Sequence, residues 1–174
     1  MATFSKFTGN ATWKRAGRGR RAFKLDNPSG TVATLKFRRA LSSLGEAQAR
    51  DGEWTFKRVG FLRPRVTVRE AGSDADIGVF HASLGGDGTL EMADGSTFTR
   101  SSRGFWHARR VWRDARGNEV MVVEPKSVLT STATVTLGEA SKGTPVALLA
   151  CLGYYLTVLA ADEDASTAMM MSMG

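Results

Sequence analysis

Short runs in which apolar and polar residues alternate recur along most of this chain, each closed by turn residues. The clearest is 31–38. Thr31, Ala33, Leu35 and Phe37 fall on one face, and Thr34, Lys36 and Arg38 on the other. A period of two is the signature of a half-buried strand. Val66 and Val68 alternate with Arg65, Thr67 and Arg69 in 65–70, and Leu90 and Met92 with Thr89 and Glu91 in 89–93. In 105–113 Trp106, Ala108, Arg110 and Trp112 share one face, and in 132–137 Ala133, Val135 and Leu137 do. The same reading predicts strands over 11–16, 22–26, 53–58, 76–83, 96–101 and 119–124. Segment 41–50 is ambiguous, because its Ala, Glu and Gln favour a helix while Gly45 interrupts one. Asp51-Gly52 after it is a hairpin turn, which predicts 45–50 as a strand paired with 53–58.

One stretch has a different pattern. From Val146 to Ala161 the residues are almost all Ala, Leu, Val, Tyr and Cys, with Gly153 and Thr157 as the interruptions. Thr144 suits a helix N-cap and Pro145 the first helical position, so a helix is predicted over about 144–162. It has no polar stripe, and a helix that is apolar all round must be enclosed all round, by protein or by lipid. A membrane span needs about 20 apolar residues to cross about 30 Å. At 1.5 Å per residue this run reaches only roughly 25 Å, and burial in protein is expected. A tail-anchored membrane protein is the competing reading.

About a dozen strands at hairpin spacing indicate a sandwich or barrel. Barrels of eight strands are filled by their own side chains, while cans of about eleven hold a central helix. The expected fold is therefore mainly β: a closed antiparallel barrel of about twelve strands around the buried C-terminal helix. Residues 1–174 read as one barrel domain, with a methionine-rich tail, 165–174, read either as a plug for the barrel mouth or as a disordered, flexible end.

This order of elements resembles the Tubby C-terminal-like superfamily, whose branches include the tubby, LURP-one-related and phospholipid scramblase proteins. The local resemblance lies in Gly88-Thr89-Leu90 to Asp94-Gly95, Phe105-Trp106, Gly117-Asn118-Glu119-Val120 and the apolar run 146–164. It implies a closed barrel wrapped around a hydrophobic helix and, in some branches, binding of phospholipid or phosphoinositide. No lipid-binding motif of the family falls on named positions here. The calcium-binding segment of the scramblase branch has no counterpart either.

Charge adds a partner class. The net charge is +7, and after Gly117 the basic residues are Lys126 and Lys142 alone. A basic excess favours phosphate-bearing partners, either an anionic membrane surface or nucleic acid. Three clusters are the candidate lipid- or phosphate-binding residues: Lys14, Arg15, Arg18, Arg20 and Arg21; Lys36, Arg38 and Arg39; and Arg63, Arg65 and Arg69. The arginine fork donates two hydrogen bonds to one phosphate. Trp13, Phe23, Phe37 and Phe61 lie near the clusters, placed to enter a membrane interface, to stack on bases, or to join the core. Segment 1–25 lacks acids, as transit peptides do, although Trp13 and Phe23 read as strand residues.

Catalytic chemistry is not legible. The single cysteine, Cys151, lies inside the apolar run and excludes an internal disulfide framework. His81 and His107 fall on different predicted strands, and no Gly-x-Ser-x-Gly elbow is present. Gly85-Gly86-Asp87-Gly88 precedes a strand rather than a helix, so it fails as a phosphate loop. Asp74, Asp76 and Asp87 lack EF-hand spacing. Asp162-Glu163-Asp164 is expected in solvent or paired with arginines at the barrel rim. The expectation is a non-enzymatic cytoplasmic domain without cofactor, peripheral at membranes, with a basic nucleic-acid-binding barrel as the alternative.

Overall fold

The computed structural model describes residues 4–17, 21–39, 42–83, 87–103, 109–126 and 132–173. Among these, twelve strands form one closed barrel in which every strand pairs antiparallel with its neighbours. In chain order they are β1 (Asn10–Arg15), β2 (Ala22–Asn27), β3 (Gly30–Phe37), β4 (Leu44–Ala49), β5 (Gly52–Val59), β6 (Arg65–Glu70), β7 (Asp76–Ala82), β8 (Gly88–Met92), β9 (Thr97–Arg103), β10 (Arg109–Arg113), β11 (Glu119–Pro125) and β12 (Ala133–Leu137). Successive strands pair, and β1 closes on β12 with Ala11 opposite Val135. Each predicted strand is present, with ends shifted by a few residues at most where described. Residues 104–108, including Trp106, His107 and Ala108, lie outside the described set. Segment 41–50 resolves as strand β4, joined to β5 through Asp51-Gly52.

The alternating apolar residues face inward. Trp13, Leu25, Leu35, Phe56, Phe80 and Trp112 are fully buried. The bore they leave is filled by α1 (Val146–Ser172), whose residues 147–156 are all buried. Aromatic side chains join the helix to the wall. Trp13 stacks on Tyr154 at 4.6 Å, Phe37 stacks on Tyr155 at 5.4 Å, and Phe23 meets Tyr154 edge-on at 5.1 Å. Offset-stacked and edge-on rings are the favoured pair geometries. Glycines allow the closest approaches. A Cβ at Gly45 would lie 2.7 Å from the Tyr155 ring, and one at Gly153 2.8 Å from Trp112 Nε1. The fully enclosed helix has room at these two points only because the side chain is hydrogen.

Two details of the helix differ from expectation. Its first residue is Val146, and Pro145 is the N-cap, with no side-chain cap. Thr144 Oγ1 instead donates to Ser141 O at 2.7 Å, back into the 3-10 turn Glu139–Ser141. Its end is the larger difference. The helix continues to Ser172, ten residues beyond the expected end at about 162 and through most of the methionine-rich tail. Ala165, Ala168 and Met169 to Met171 are good helix formers. Ser166 and Thr167 return their hydroxyls to the carbonyls of Asp162 and Glu163 at 2.8 and 2.9 Å. The overhang needs no apolar stripe, because residues 161–173 are exposed.

Gly153→Ala should lower stability by about 1–3 kcal/mol through overpacking. Combined with Trp112→Phe, which removes the clashing indole nitrogen, the loss should fall below the sum of the single losses. Thermal unfolding of the four forms measures this coupling. Leu152→Asp should unfold the domain, because an unpaired buried charge costs an amount comparable to total stability. Circular dichroism checks that outcome.

Candidate functional site

The up-and-down connectivity gives the barrel two chemically different ends. The helix enters beside the β4–β5, β8–β9 and β10–β11 turns, where Asp51, Asp94, Asp114 and Arg116 share a recess with Gly143 and Pro145. It leaves at the other end, among the β1–β2, β3–β4 and β5–β6 connections. The exit end carries Arg21, Arg38, Arg39 and Arg63 in its connections and Arg15, Arg58 and Arg65 at strand ends. The turns at the entry end carry Asp51, Asp74, Asp94 and Asp114, beside Arg50 and Arg116.

The candidate clusters divide accordingly. Lys14 is exposed on β1 opposite Lys24, which pairs with Asp26 at 3.1 Å. Arg15 lies 5.9 Å from the Phe23 ring and Arg21 lies 4.2 Å from the Phe37 ring. Arg18 and Arg20 lie outside the described residues. Lys36 and Arg39 are exposed, and Arg38 pairs with Glu46 at 2.7 Å. The third cluster is not one site. Arg63 and Arg65 stand at the exit end, while Arg69 stands near the entry end and pairs with Asp76 at 2.6 Å. A strand rises about 3.3 Å per residue, so four residues of β6 separate Arg65 from Arg69 by most of the barrel height.

The acids of the helix meet the exit-end rim. Asp162 accepts from Arg21, and Glu163 pairs with Arg58. Beneath them is a polar group that the basic clusters did not include. Arg100 is buried on β9, and its Nη2 donates to Gly153 O at 3.2 Å and Thr157 Oγ1 at 3.0 Å. Burial, then the neighbouring Arg110, lower its pKa to about 9, while Asp87 opposes them. Arg110 donates to Ser102 Oγ at 3.2 Å, and Ser102 donates to Asp87 at 2.6 Å. Alternation made this group readable, since Phe98 and Arg100 share the inner face of β9.

Asp87 lies at the exit end, across the barrel from Asp74 and Asp76, so these acids form no common cation site. Among the described residues no group of three His, Cys, Asp or Glu is placed to hold a metal ion. Cys151 is fully buried, which raises its pKa and leaves it an apolar packing group. Of the aromatic residues near the basic clusters, Trp13, Phe23 and Phe37 are core, whereas Phe61 is 96% exposed. The chain matches no protein-family model, curated protein or solved structure in the comparisons made.

Burial also sets a pH response. It raises the Tyr154 pKa from 10.0 to about 12 and raises those of Tyr155 and Cys151 as well. Tyr154's contribution is complete below pH 10 and is lost as pH climbs to about 12. Arg100, lowered in the fold, works in the opposite direction above about pH 9. Burial lowers Arg110 too, and the three raised groups against these two lowered arginines predict a net fall in melting temperature above about pH 10. Tyr154→Phe should make that fall shallower than in the parent chain, as followed by thermal scans between about pH 8 and about pH 11.

Proposed function

We propose that this chain is a non-enzymatic domain that binds an anionic phospholipid surface with the helix-exit end of its barrel. One coincidence carries the reading. Among the described residues the exposed large apolar side chains are Phe61, Leu62, Met169, Met170, Met171 and Met173. All of them belong to the end that carries the arginines. An interfacial protein needs apolar groups to enter the headgroup boundary and cations to meet lipid phosphate, both on one face. Lys36, Arg39, Arg63 and Arg65 form no ion pair with a described residue, which leaves them for an outside anion. The closed barrel around a terminal apolar helix is the architecture expected of a Tubby-like protein, and membership of that superfamily is part of the same proposal.

Two other readings have less support. A nucleic-acid barrel stacks bases on exposed groove aromatics, and among the described residues Phe61 is the one exposed aromatic near the clusters. The helix is long and apolar enough to cross a membrane by length and composition alone. Residues 147–156, however, are enclosed by the barrel. The overhang 161–173 spans only about 20 Å and contains Asp162, Glu163 and Asp164.

Cosedimentation with anionic and neutral vesicles, beside an oligonucleotide titration, tests the proposal. Anionic vesicles should bind best, and more tightly at low salt. Replacing Arg15, Arg39 and Arg65 together with Glu should weaken binding about a hundredfold or more, at about 1 kcal/mol per surface cation. Replacing Arg50, Arg69 and Arg116 at the entry end should have a much smaller effect. Equal losses from the two sets, or preference for the oligonucleotide, would overturn the proposal.

A further inference from the structure

We infer that the β5–β6 connection is the element that enters the lipid, with Phe61 and Leu62 as a wedge and Arg63, Arg65 and Ser83 as the cradle for a lipid phosphate behind it. The inference rests on the lipid-surface reading above and assigns it a place and a ligand group. Phe61 and Leu62 are 96% and 91% exposed, adjacent in sequence, at the tip of a short loop. That loop closes a tight antiparallel pair in which Val59 faces Arg65, so the wedge sits on a rigid support. No described side chain covers it. An adjacent aromatic and aliphatic pair held in water loses apolar contact energy that a hydrocarbon boundary would return.

Directly behind the wedge is a recess of about 500 Å³ lined by Leu62, Arg63, Pro64, Arg65, His81 and Ser83. Arg65 and His81 are cross-strand partners on β6 and β7, so both project from the outer face at the same level. Neither Arg63 nor Arg65 has a carboxylate partner among the described residues. The one nearby acid contact is His81 Nε2 with Glu91 Oε2 at 3.6 Å, on the side away from the loop. Two guanidinium forks and a hydroxyl around one opening form a donor set for a phosphate group, which the wedge would hold at headgroup depth. The rim arginines on the helix side differ, since Arg21 and Arg58 already bind Asp162 and Glu163. The free donors and the apolar tip are thus found together at one loop.

The test uses the full chain and vesicles of phosphatidylcholine with and without phosphatidylserine. A Leu62→Cys variant carries an environment-sensitive fluorophore, with buried Cys151 shielded from labelling; an Ala115→Cys variant at the entry end is the control. On anionic vesicles the label at 62 should shift to the blue and be quenched by lipids bearing quenchers near the headgroup, and the label at 115 should not change. Phe61→Ser with Leu62→Ser should keep the parent melting temperature, because both side chains are exposed, yet weaken vesicle binding about tenfold or more. Arg63→Ala with Arg65→Ala should weaken it by about tenfold as well. Tight vesicle binding by the parent with no response at position 62 and no loss in the serine variant would overturn this inference and leave the lipid-surface reading in place. No vesicle binding by the parent would overturn both. Binding of soluble glycerol phosphate in this recess, without vesicle binding, would replace the lipid with a small-molecule ligand and overturn both as well.

Discussion

The barrel and its helix each solve the other's problem. Twelve strands close around a bore wider than the strands' own side chains can fill, and a void there would forfeit the contacts that a packed interior supplies. A helix with no polar stripe cannot rest on a surface and must be enclosed. Val146–Ser172 enters the bore and residues 147–156 bury every face. Trp13, Phe23, Phe37 and Phe56 reach it from four strands through Tyr154 and Tyr155. Neither part has a core alone, so the stability of the domain is a property of the fit between them.

That fit also fixes the orientation of the surface chemistry. The helix enters at one end, where Asp51, Asp94 and Asp114 occupy the turns, and leaves at the other, where the arginines gather. Its acids at 162–164 reach the rim as it emerges and take up Arg21 and Arg58. Arg100 fastens the same region from inside by donating to the helix at Gly153 and Thr157. Lys36 and Arg39 by the β3–β4 connection, and Arg63 and Arg65 by the β5–β6 connection, have no ion-pair partner among the described residues. A charge distribution that looks diffuse along the chain is therefore sorted by topology into an occupied part and a free part.

Much of the fold was legible because each strand states its own period. Alternation in 31–38 and 65–70 and the Asp-Gly turns locate strands without knowledge of their partners. The helix was legible from the absence of a polar face. Three features were not. The helix runs to Ser172 because helix propensity and hydroxyl-to-carbonyl bonds sustain an exposed end, which leaves no pattern to read. Arg63, Arg65 and Arg69 are close in sequence, yet an extended chain carries Arg69 toward the opposite end. Pairing with rim arginines was one of the two readings of the helix acids, but the identity of the partners, Arg21 and Arg58, depends on contacts more than a hundred residues apart, which local patterning does not encode.

The position of the filler in the chain has a consequence for how the protein is made. Strands β1 and β12, which must meet for closure, are more than a hundred residues apart, and the helix follows them both. Contacts of such long sequence separation make folding slow. Synthesis proceeds at about 5–20 residues per second, so for several seconds the ribosome holds inward-facing Trp, Phe and Val residues with nothing yet to pack against. The first native-like assembly waits for the helix, which is translated after every strand. Each product interrupted before the helix therefore lacks the core, and a cell's chaperones and proteases can tell an open barrel from a packed one by whether its bore has been filled.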